Sequence, residues 1–586
     1  MKPFMNPLLT LNVLLGLWPV LCPASLVCRP EGPVLPRPSS LQASSVFKDA
    51  AANLSETLTA ALDGTIKAGF PTQNLSFSVA IVSIDQPDPG TPLWEYHHLS
   101  SANTRGTRRL DRHSQYLIGS ITKVLSDYVL MKSGVDLDTP ITSYIPELAK
   151  NASRIHWQDV TLRMLASHLA GAPTNYAFSE HYYLKDVFQS YGFPPIDDSA
   201  YPPCGVSGLN SACTAQEFLA GMANSYPYAA PMERPAYSNI AFTILTLALE
   251  RVTGKSYTQL IKEFVTEPLG MKNTFPSPGN DSQAIIPPGD SNWGTDYGID
   301  TPAGGLVSSI SDLSKFTHAL LSSRLNLTAT ETRGWLKPAA FAGNLQTAVG
   351  MPWEIWRPDT LTPKHPHHVT VYGKGGGALL YRSQLSVVDE YGIAVIVLTA
   401  GEMNAAAYLP NAVLSTILPA VDDASREMAK TKYARRFHTS SSTKSPVPVE
   451  ATLVLDDDSL LLSSIQRNGS DVLTAMTDLW SLIMTNFASP IGSTVRLFPQ
   501  ELDEQVTLDG KPATREIWRL WPQALPQPDS DLPGYGIDAT NCMSWTLGDW
   551  VHYGGEPIDR AVFYRHGGDV VGFELPFLRS GIMRPL

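Results

Sequence analysis

A hydroxyl and an amine stand three residues apart in Tyr116-Leu117-Ile118-Gly119-Ser120-Ile121-Thr122-Lys123. Residues three apart share a helix face, so at a helix start the Lys123 amine can hold or remove the Ser120 proton, while the helix N-terminus favours nearby negative charge. The chemistry implied is nucleophilic attack by Ser120. Alone, a Ser-x-x-Lys tetrapeptide is equally a polar helix start with an exposed lysine, so its meaning rests on partners elsewhere.

Two further stretches offer partners. Pro235-Ala236-Tyr237-Ser238-Asn239 puts Tyr237 and Asn239 two apart in a loop, ahead of an apolar helix over 244–252 closed by Gly254. Read by itself this is a buried aromatic and a capping asparagine. Tyr372-Gly373-Lys374-Gly375-Gly376-Gly377-Ala378 precedes apolar runs at 384–388 and 393–398, a pattern of antiparallel strands with glycines where something approaches the backbone. Such an edge can offer N–H groups to an oxyanion; the competing reading is a flexible hairpin with a solvated lysine. His168 closes an apolar helical pattern over 160–168 and reads as packing. The Gly-rich turn Thr301–Ser309 lacks the lysine and spacing of a phosphate cradle.

Ser120-x-x-Lys123, Tyr237-Ser238-Asn239 and Lys374-Gly375-Gly376 together resemble, in order and spacing, the three motifs of the serine β-lactamase and penicillin-binding protein superfamily. The match is nearest to its class C β-lactamase, D-alanyl-D-alanine carboxypeptidase and esterase branch. Thr161–Gly171, Tyr257 with Pro268–Thr274, and Pro302–Leu306 also look like that family, and the resemblance covers roughly residues 45 to 425. It implies a β-lactamase/transpeptidase-like α/β fold, an antiparallel sheet flanked by helices plus an all-helical part. It implies that Ser120 forms an acyl-enzyme, that Lys123 and Tyr237 share the proton relay with Tyr237 the base for the deacylating water, and that Asn239 orients Lys123 or the substrate. Lys374 would supply positive potential toward Tyr237 or a substrate carboxylate, and the N–H groups of Ser120 and Gly377 the oxyanion hole. No cofactor and no metal are implied. One departure matters: Gly375 stands where the third motif usually carries a hydroxyl, so one hydrogen bond to a substrate carboxylate is missing. That weakens the case for β-lactamase or carboxypeptidase activity more than the case for an esterase or amidase. Arg565-His566-Gly567-Gly568 mimics the third motif but lies outside the matched span. The leading expectation is a serine hydrolase acting on an ester, amide or thioester of a small molecule or peptide. A transacylase of secondary metabolism and a catalytically silent peptide- or glycan-binding protein are the alternatives.

The elements that must position these residues fit a chain of 586 residues, too long for one ordinary core. A hydrophobic fraction of 43% marks a folded globular protein, and a net charge of -12 argues against a nucleic-acid surface or an anionic membrane face. Residues 1–24 read as a secretory signal peptide, with an apolar run from Leu8 to Leu21 too short to span a bilayer comfortably; a signal anchor is the alternative. Prolines over 25–45 describe an extended tether. The spacing then predicts a helix over 46–68, a strand over 76–83 and a second strand over 93–97 within a catalytic domain spanning 46–425, followed by a linker over 426–449 and a β-rich domain over 450–586. The aromatic, Pro- and Gly-rich excursion from Asn175 to Tyr228 is expected to shape a cleft or lid. Its Cys204 and Cys213 flank a Gly/Ser/Asn loop, which makes a local bridge the first choice among three pairings and leaves Cys28 with Cys542. Asn-x-Ser/Thr acceptors at Asn53, Asn74, Asn151, Asn280, Asn326 and Asn468 agree with a secreted glycoprotein. His365-Pro366-His367-His368 reads as a solvated loop rather than a ligand set. A secretion signal joined to these motifs and a β-rich tail is similar to secreted fungal β-lactamase-like proteins.

Overall fold

The computed structural model describes residues 28–149, 153–439, 447–484, 491–525, 530–534 and 542–586. The expected signal segment over 1–24 and the acceptor Asn151 lie outside them. The chain divides into two compact units, one of Pro33–Ala434 with Leu455–Asp458, the other of Met1–Gly32, Arg435–Val454 and Ser459–Leu586.

The larger unit is built on an eight-stranded sheet. Its strands are β1 (Leu75–Ser83), β2 (Trp94–His98), β3 (Ala340–Phe341), β4 (Thr347–Val349), β5 (Glu354–Trp356), β6 (Val371–Ala378), β7 (Tyr381–Val388) and β8 (Ile393–Gly401). They run antiparallel in the order β2-β1-β8-β7-β6-β5-β4-β3. Every residue of β1 is buried, because the sheet is covered on both faces and the side-chain period of two feeds two cores. Phe77, Val79 and Ile81 join one core with α1 (Ser45–Leu62) and the long C-terminal helix of the unit, Ala405–Lys432. Ala80 and Val82 join the other. That second core holds the helical part, including α2 (Thr122–Lys132), α3 (Ile240–Thr253) and α4 (Ile310–Leu321), so that Ala405–Lys432 becomes α5. This is the antiparallel sheet with flanking helices and an all-helical part that the motifs imply.

Three local expectations are corrected. The first helix stops at Leu62 rather than running to 68. The helix expected over 160–168 is confined to Leu162–Ala166, because His168 takes a left-handed backbone with φ 60° that no helix continues through. The stretch expected as a linker over 426–449 is, in its described part, the end of α5 and a strand, Arg436–Thr439. Arg426 is buried there: it pairs with Asp422 at 3.0 Å and donates to the carbonyls of Asp456 and Asp458, which anchors the basic helix end.

The smaller unit is β-rich, as expected, and closed. Its strands are β9 (Arg436–Thr439), β10 (Val449–Leu455), β11 (Leu460–Arg467), β12 (Ile491–Leu508), β13 (Lys511–Ala524), β14 (Arg560–His566), β15 (Asp569–Glu574) and β16 (Met583–Pro585). They follow the order β10-β9-β16-β15-β14-β13-β12-β11, and pairing of β10 with β11 closes an eight-stranded barrel, which leaves no open edge among these strands. Phe437, Trp518, Phe563 and Phe573 are fully buried and in ring contact. A helix the sequence reading did not anticipate, α6 (Val472–Met484), buries Met476 and Trp480 four apart on one face. Cys28 bridges to Cys542 within this unit, and Cys204 to Cys213 in the larger one.

Candidate active site

Ser120 lies on a single 3-10 turn, Gly119–Ile121, that runs directly into α2. Tyr116 and Leu117 before it pair with Ser308 and Val307, and the Ile118 N–H donates to the Leu306 carbonyl at 3.1 Å. Gly119 has φ 49°, and a Cβ there would stand 2.4 Å from the Gly377 nitrogen. Both facts require glycine, one for the left-handed turn and one for the approach of β6. The Ser120 turn is thus pressed against Gly376 and Gly377, which sets the Ser120 and Gly377 backbones side by side.

Around Ser120 Oγ the first two motifs converge. Lys123 Nζ is 3.0 Å away and Tyr237 Oη donates to it at 2.6 Å. Lys123 is fully buried and has two further acceptors, Asn239 Oδ1 at 2.7 Å and the Ala303 carbonyl. Burial pushes the Lys123 amine well below its ordinary range, the nearby Lys374 charge pushes the same way, and Glu354, Asp127 and Asp300 oppose them. Asp127, one turn further along α2, is itself driven well up by burial, against the opposing pull of the Lys123 charge. A neutral amine has two hydrogens and one lone pair. Lys123 Nζ donates to Ser120 Oγ as well as to Asn239 and Ala303, so its lone pair would face Ser120 once the amine has lost that third proton.

Asn239 occupies the residue before α3, yet its side chain makes no cap. Its oxygen takes the Lys123 hydrogen while its Nδ2 donates to Asn175 Oδ1 at 2.7 Å. Asn175 therefore fixes which way the Asn239 amide faces. We expect Asn175→Ala to slow covalent labelling of Ser120 about tenfold, as loss of one orienting hydrogen bond implies, and Asn175→Asp, which keeps an acceptor, to restore most of the rate.

Tyr237 is held by what lies beneath it. The His168 ring packs 4.6 Å from the Tyr237 ring, His168 Nδ1 accepts the Ser238 N–H at 3.2 Å, and the His168 carbonyl accepts from Ala236. Burial first, then the charges of Lys123 and Lys374, hold His168 well below the usual imidazole range, which keeps Nδ1 free to accept. The Nζ atoms of Lys123 and Lys374 lie 5.0 and 5.1 Å from the Tyr237 ring centre.

Lys374 is buried on β6 and is not solvated. Its Nζ pairs with Glu354 Oε1 at 2.5 Å, while Glu354 Oε2 accepts the Gly375 N–H at 2.9 Å. A cavity of about 540 Å³ opens here, lined by Ser120, Tyr237, Glu354, Lys374, Gly375, Gly377 and neighbouring residues of β6 and β7. The 175–228 excursion contributes no lining residue to this cavity; its link to the site is Asn175.

The remaining candidates separate from this cluster. Arg565 belongs to the barrel unit and pairs with Glu516 and Asp503. In the 365–368 run, His367 is buried rather than solvated, with Nε2 3.1 Å from Tyr391 Oη. Among the described residues no group of three or more His, Cys, Asp or Glu is placed to hold a metal ion, and no helix is long and apolar enough to cross a membrane. The acceptor asparagines Asn53, Asn74, Asn280, Asn326 and Asn468 are all exposed. Sequence reasoning did not single out Asn175, Glu354 or the Ala303 carbonyl. For Glu354 a trace existed, the polar residue in Trp353-Glu354-Ile355 between two apolar ones, which marks a strand with one open face.

Residues 90–415 match a family model described as Beta-lactamase, and residues 425–585 match one described as Beta-lactamase-like-like, C-terminal domain. A beta-lactamase-like protein of Arthroderma benhamiae is 43% identical over 95% of this chain and 96% of its own. A probable hydrolase of Cochliobolus lunatus, clz13, is 27% identical over 84% and 82%. A D-amino acid amidase from Ochrobactrum anthropi SV3, solved with D-phenylalanine, superposes with TM-score 0.47 at 20% identity, over 65% of this chain and 99% of the amidase.

Proposed function

Since this chain belongs to the beta-lactamase family, we propose that it is a secreted serine hydrolase that turns over an ester, amide or thioester through an acyl-enzyme on Ser120. The observation that carries this is the convergence on one oxygen: Ser120 Oγ, facing a cavity, lies within hydrogen-bond reach of both Lys123 Nζ and Tyr237 Oη. Two disulfides and exposed acceptor asparagines support the secretory route and the use of those sites for glycosylation.

In the first half-reaction Ser120 Oγ bonds to the substrate carbonyl carbon and its proton passes to the Lys123 lone pair. The carbonyl oxygen becomes an oxyanion held by the N–H groups of Ser120 and Gly377. Collapse breaks the bond to the leaving group, which takes the Tyr237 hydroxyl proton and departs. The acyl-enzyme then carries protonated Lys123 and a Tyr237 phenolate. Water attacks the acyl carbon, giving its proton to Tyr237, and Ser120 leaves with the proton stored on Lys123. Both residues end as they began. Asn239 keeps the Lys123 nitrogen aimed, and Lys374 steadies charge on Tyr237.

The test is covalent. A fluorophosphonate probe is expected to mark the wild type at Ser120, located by peptide mass spectrometry, and to leave Ser120→Ala unmarked. If neither protein is marked and both behave alike toward a panel of esters, amides and thioesters, the hydrolase reading fails.

A further inference from the structure

The third motif holds a buried ammonium beside an open strand edge, and that edge already has an occupant. Strand β5 begins at Glu354, opposite Gly373, so its pairing with β6 ends there and from Lys374 onward β6 has no β5 residue opposite it. The N–H groups of Gly375 and Gly377 point to the same edge, because backbone groups two apart in a strand do. Lys374 Nζ and the Gly375 N–H together make a two-donor fork that would receive a carboxylate. Glu354 fills it, with Oε1 on the ammonium at 2.5 Å and Oε2 on the N–H at 2.9 Å. The Lys374 side chain is 1% exposed but that of Glu354 is 50% exposed, so the seated carboxylate looks into the cavity from its wall.

Resting on the hydrolase reading above, we propose that Glu354 is a specificity-determining residue, a built-in carboxylate that closes this subsite to acidic substrates and selects acyl donors that are uncharged where they meet Lys374 and Gly375. A substrate carboxylate would have to evict Glu354 and sit beside it, with two like charges on one ammonium. An uncharged carboxamide meets no such repulsion and can donate an N–H to the exposed face of Glu354. The missing hydroxyl at Gly375 belongs to the same arrangement. A Cβ at 375 would meet Glu354 Oε2 at 3.5 Å and Gln384 Oε1 at 3.4 Å, ordinary contact distances. Space therefore does not demand glycine there, and a hydroxyl at 375 would serve a ligand this site does not take. The other cation of the cavity wall, Arg382, donates to the Leu379 and Tyr381 carbonyls.

The experiment uses the full chain and needs no knowledge of the natural substrate. Two aryl boronic acids, 3-carbamoylphenyl and 3-carboxyphenyl, compete with the fluorophosphonate for Ser120, and the ratio of their inhibition constants is read. In the wild type the carbamoyl compound is expected to bind at least about tenfold tighter. Glu354→Ala is expected to cut that ratio about tenfold or invert it, by strengthening the carboxyl compound, and Gly375→Thr added to Glu354→Ala to strengthen it further. Glu354→Gln, which keeps the shape and removes the charge, should move the ratio in the same direction. Comparing ratios within each protein cancels any general loss of reactivity. An unchanged ratio in Glu354→Ala and Glu354→Gln, or equal binding of both compounds to the wild type, overturns the proposal while Ser120 labelling leaves the hydrolase reading standing. Loss of labelling in both Glu354 variants also overturns it, since Glu354 would then serve assembly of the site. Absence of wild-type labelling at Ser120 is the separate result that sinks the hydrolase reading.

Discussion

Replacing Lys123 by methionine is expected to lower the rate of Ser120 acylation by about 10³-fold, the middle of the range for loss of a positioned general base, and at the same time to flatten the pH dependence of stability. Both effects come from one buried nitrogen. In the folded protein the Lys123 amine is held well below its usual value of 10.5, whereas in the unfolded chain it titrates near that value. Between the lowered folded value and 10.5 the unfolded chain therefore binds more protons, and stability rises with pH across that window. Below the folded value the penalty for charging the buried amine is present in full; above 10.5 it is gone. Methionine cannot be charged, so the variant lacks this slope. It also leaves Asn239 Oδ1 and the Ala303 carbonyl without their Lys123 hydrogens, at roughly 1–3 kcal/mol for each buried group left unpaired, but that cost does not vary with pH. Denaturant midpoints at several pH values separate the two contributions. A variant whose slope equals the wild type's would show that Lys123 keeps its ordinary affinity for protons, and the lone-pair argument for Ser120 would go with it. The same titration places an acid limb on wild-type labelling, since protonated Lys123 has no lone pair for the Ser120 proton.

How far the sequence reaches into this site depends on what holds each residue. Ser120, Lys123, Tyr237, Asn239 and Lys374 are tied to local patterns, a turn into a helix, a residue before a helix and a glycine-marked strand, and each pattern is written in consecutive residues. Asn175 and Glu354 act through partners 64 and 21 positions away, and nothing in their own neighbourhoods distinguishes them from a loop asparagine or a surface glutamate. His168 shows the intermediate case. Its apolar surroundings announce burial, and it is buried, but the left-handed backbone that ends its helix and turns Nδ1 toward Ser238 is set by the loop packed over it. In the barrel, alternation revealed strands, while α6 escaped notice because its apolar residues Leu473, Met476, Leu479 and Trp480 sit in a stretch bounded by strand patterns. The described part of the stretch expected as a linker over 426–449 departs from that expectation for a related reason. Nothing in its neighbours marks Arg426 as buried, yet it is buried against three partners that only the fold brings to it.

Two adjacent glycines of the third motif should respond very differently to the same added methyl group. At Gly376 a Cβ would lie 2.2 Å from the Ile118 carbonyl, 2.3 Å from Ser383 Oγ and 3.0 Å from the Ser120 nitrogen. Two of those three atoms are backbone. The Ile118 carbonyl is also pinned by the Ser383 hydroxyl at 2.7 Å and cannot give way without breaking that bond. Gly376→Ala must therefore push β6 away from the Ser120 turn, and the first geometry lost is the pairing of the Ser120 and Gly377 N–H groups. Removal of one oxyanion donor costs on the order of 10²–10³ in rate, and that is the drop in fluorophosphonate labelling expected here, accompanied by a lower denaturant midpoint from overpacking of about 1–3 kcal/mol. Gly375→Ala is the control, because its methyl group meets only side-chain oxygens at 3.4 and 3.5 Å. It should label within a few-fold of wild type. If Gly376→Ala labels as fast as Gly375→Ala, the close seating of β6 on the Ser120 turn is not what aligns the oxyanion donors. A loss confined to Gly376→Ala instead ties the rate to the close backbone approach of two segments more than 250 residues apart in the chain.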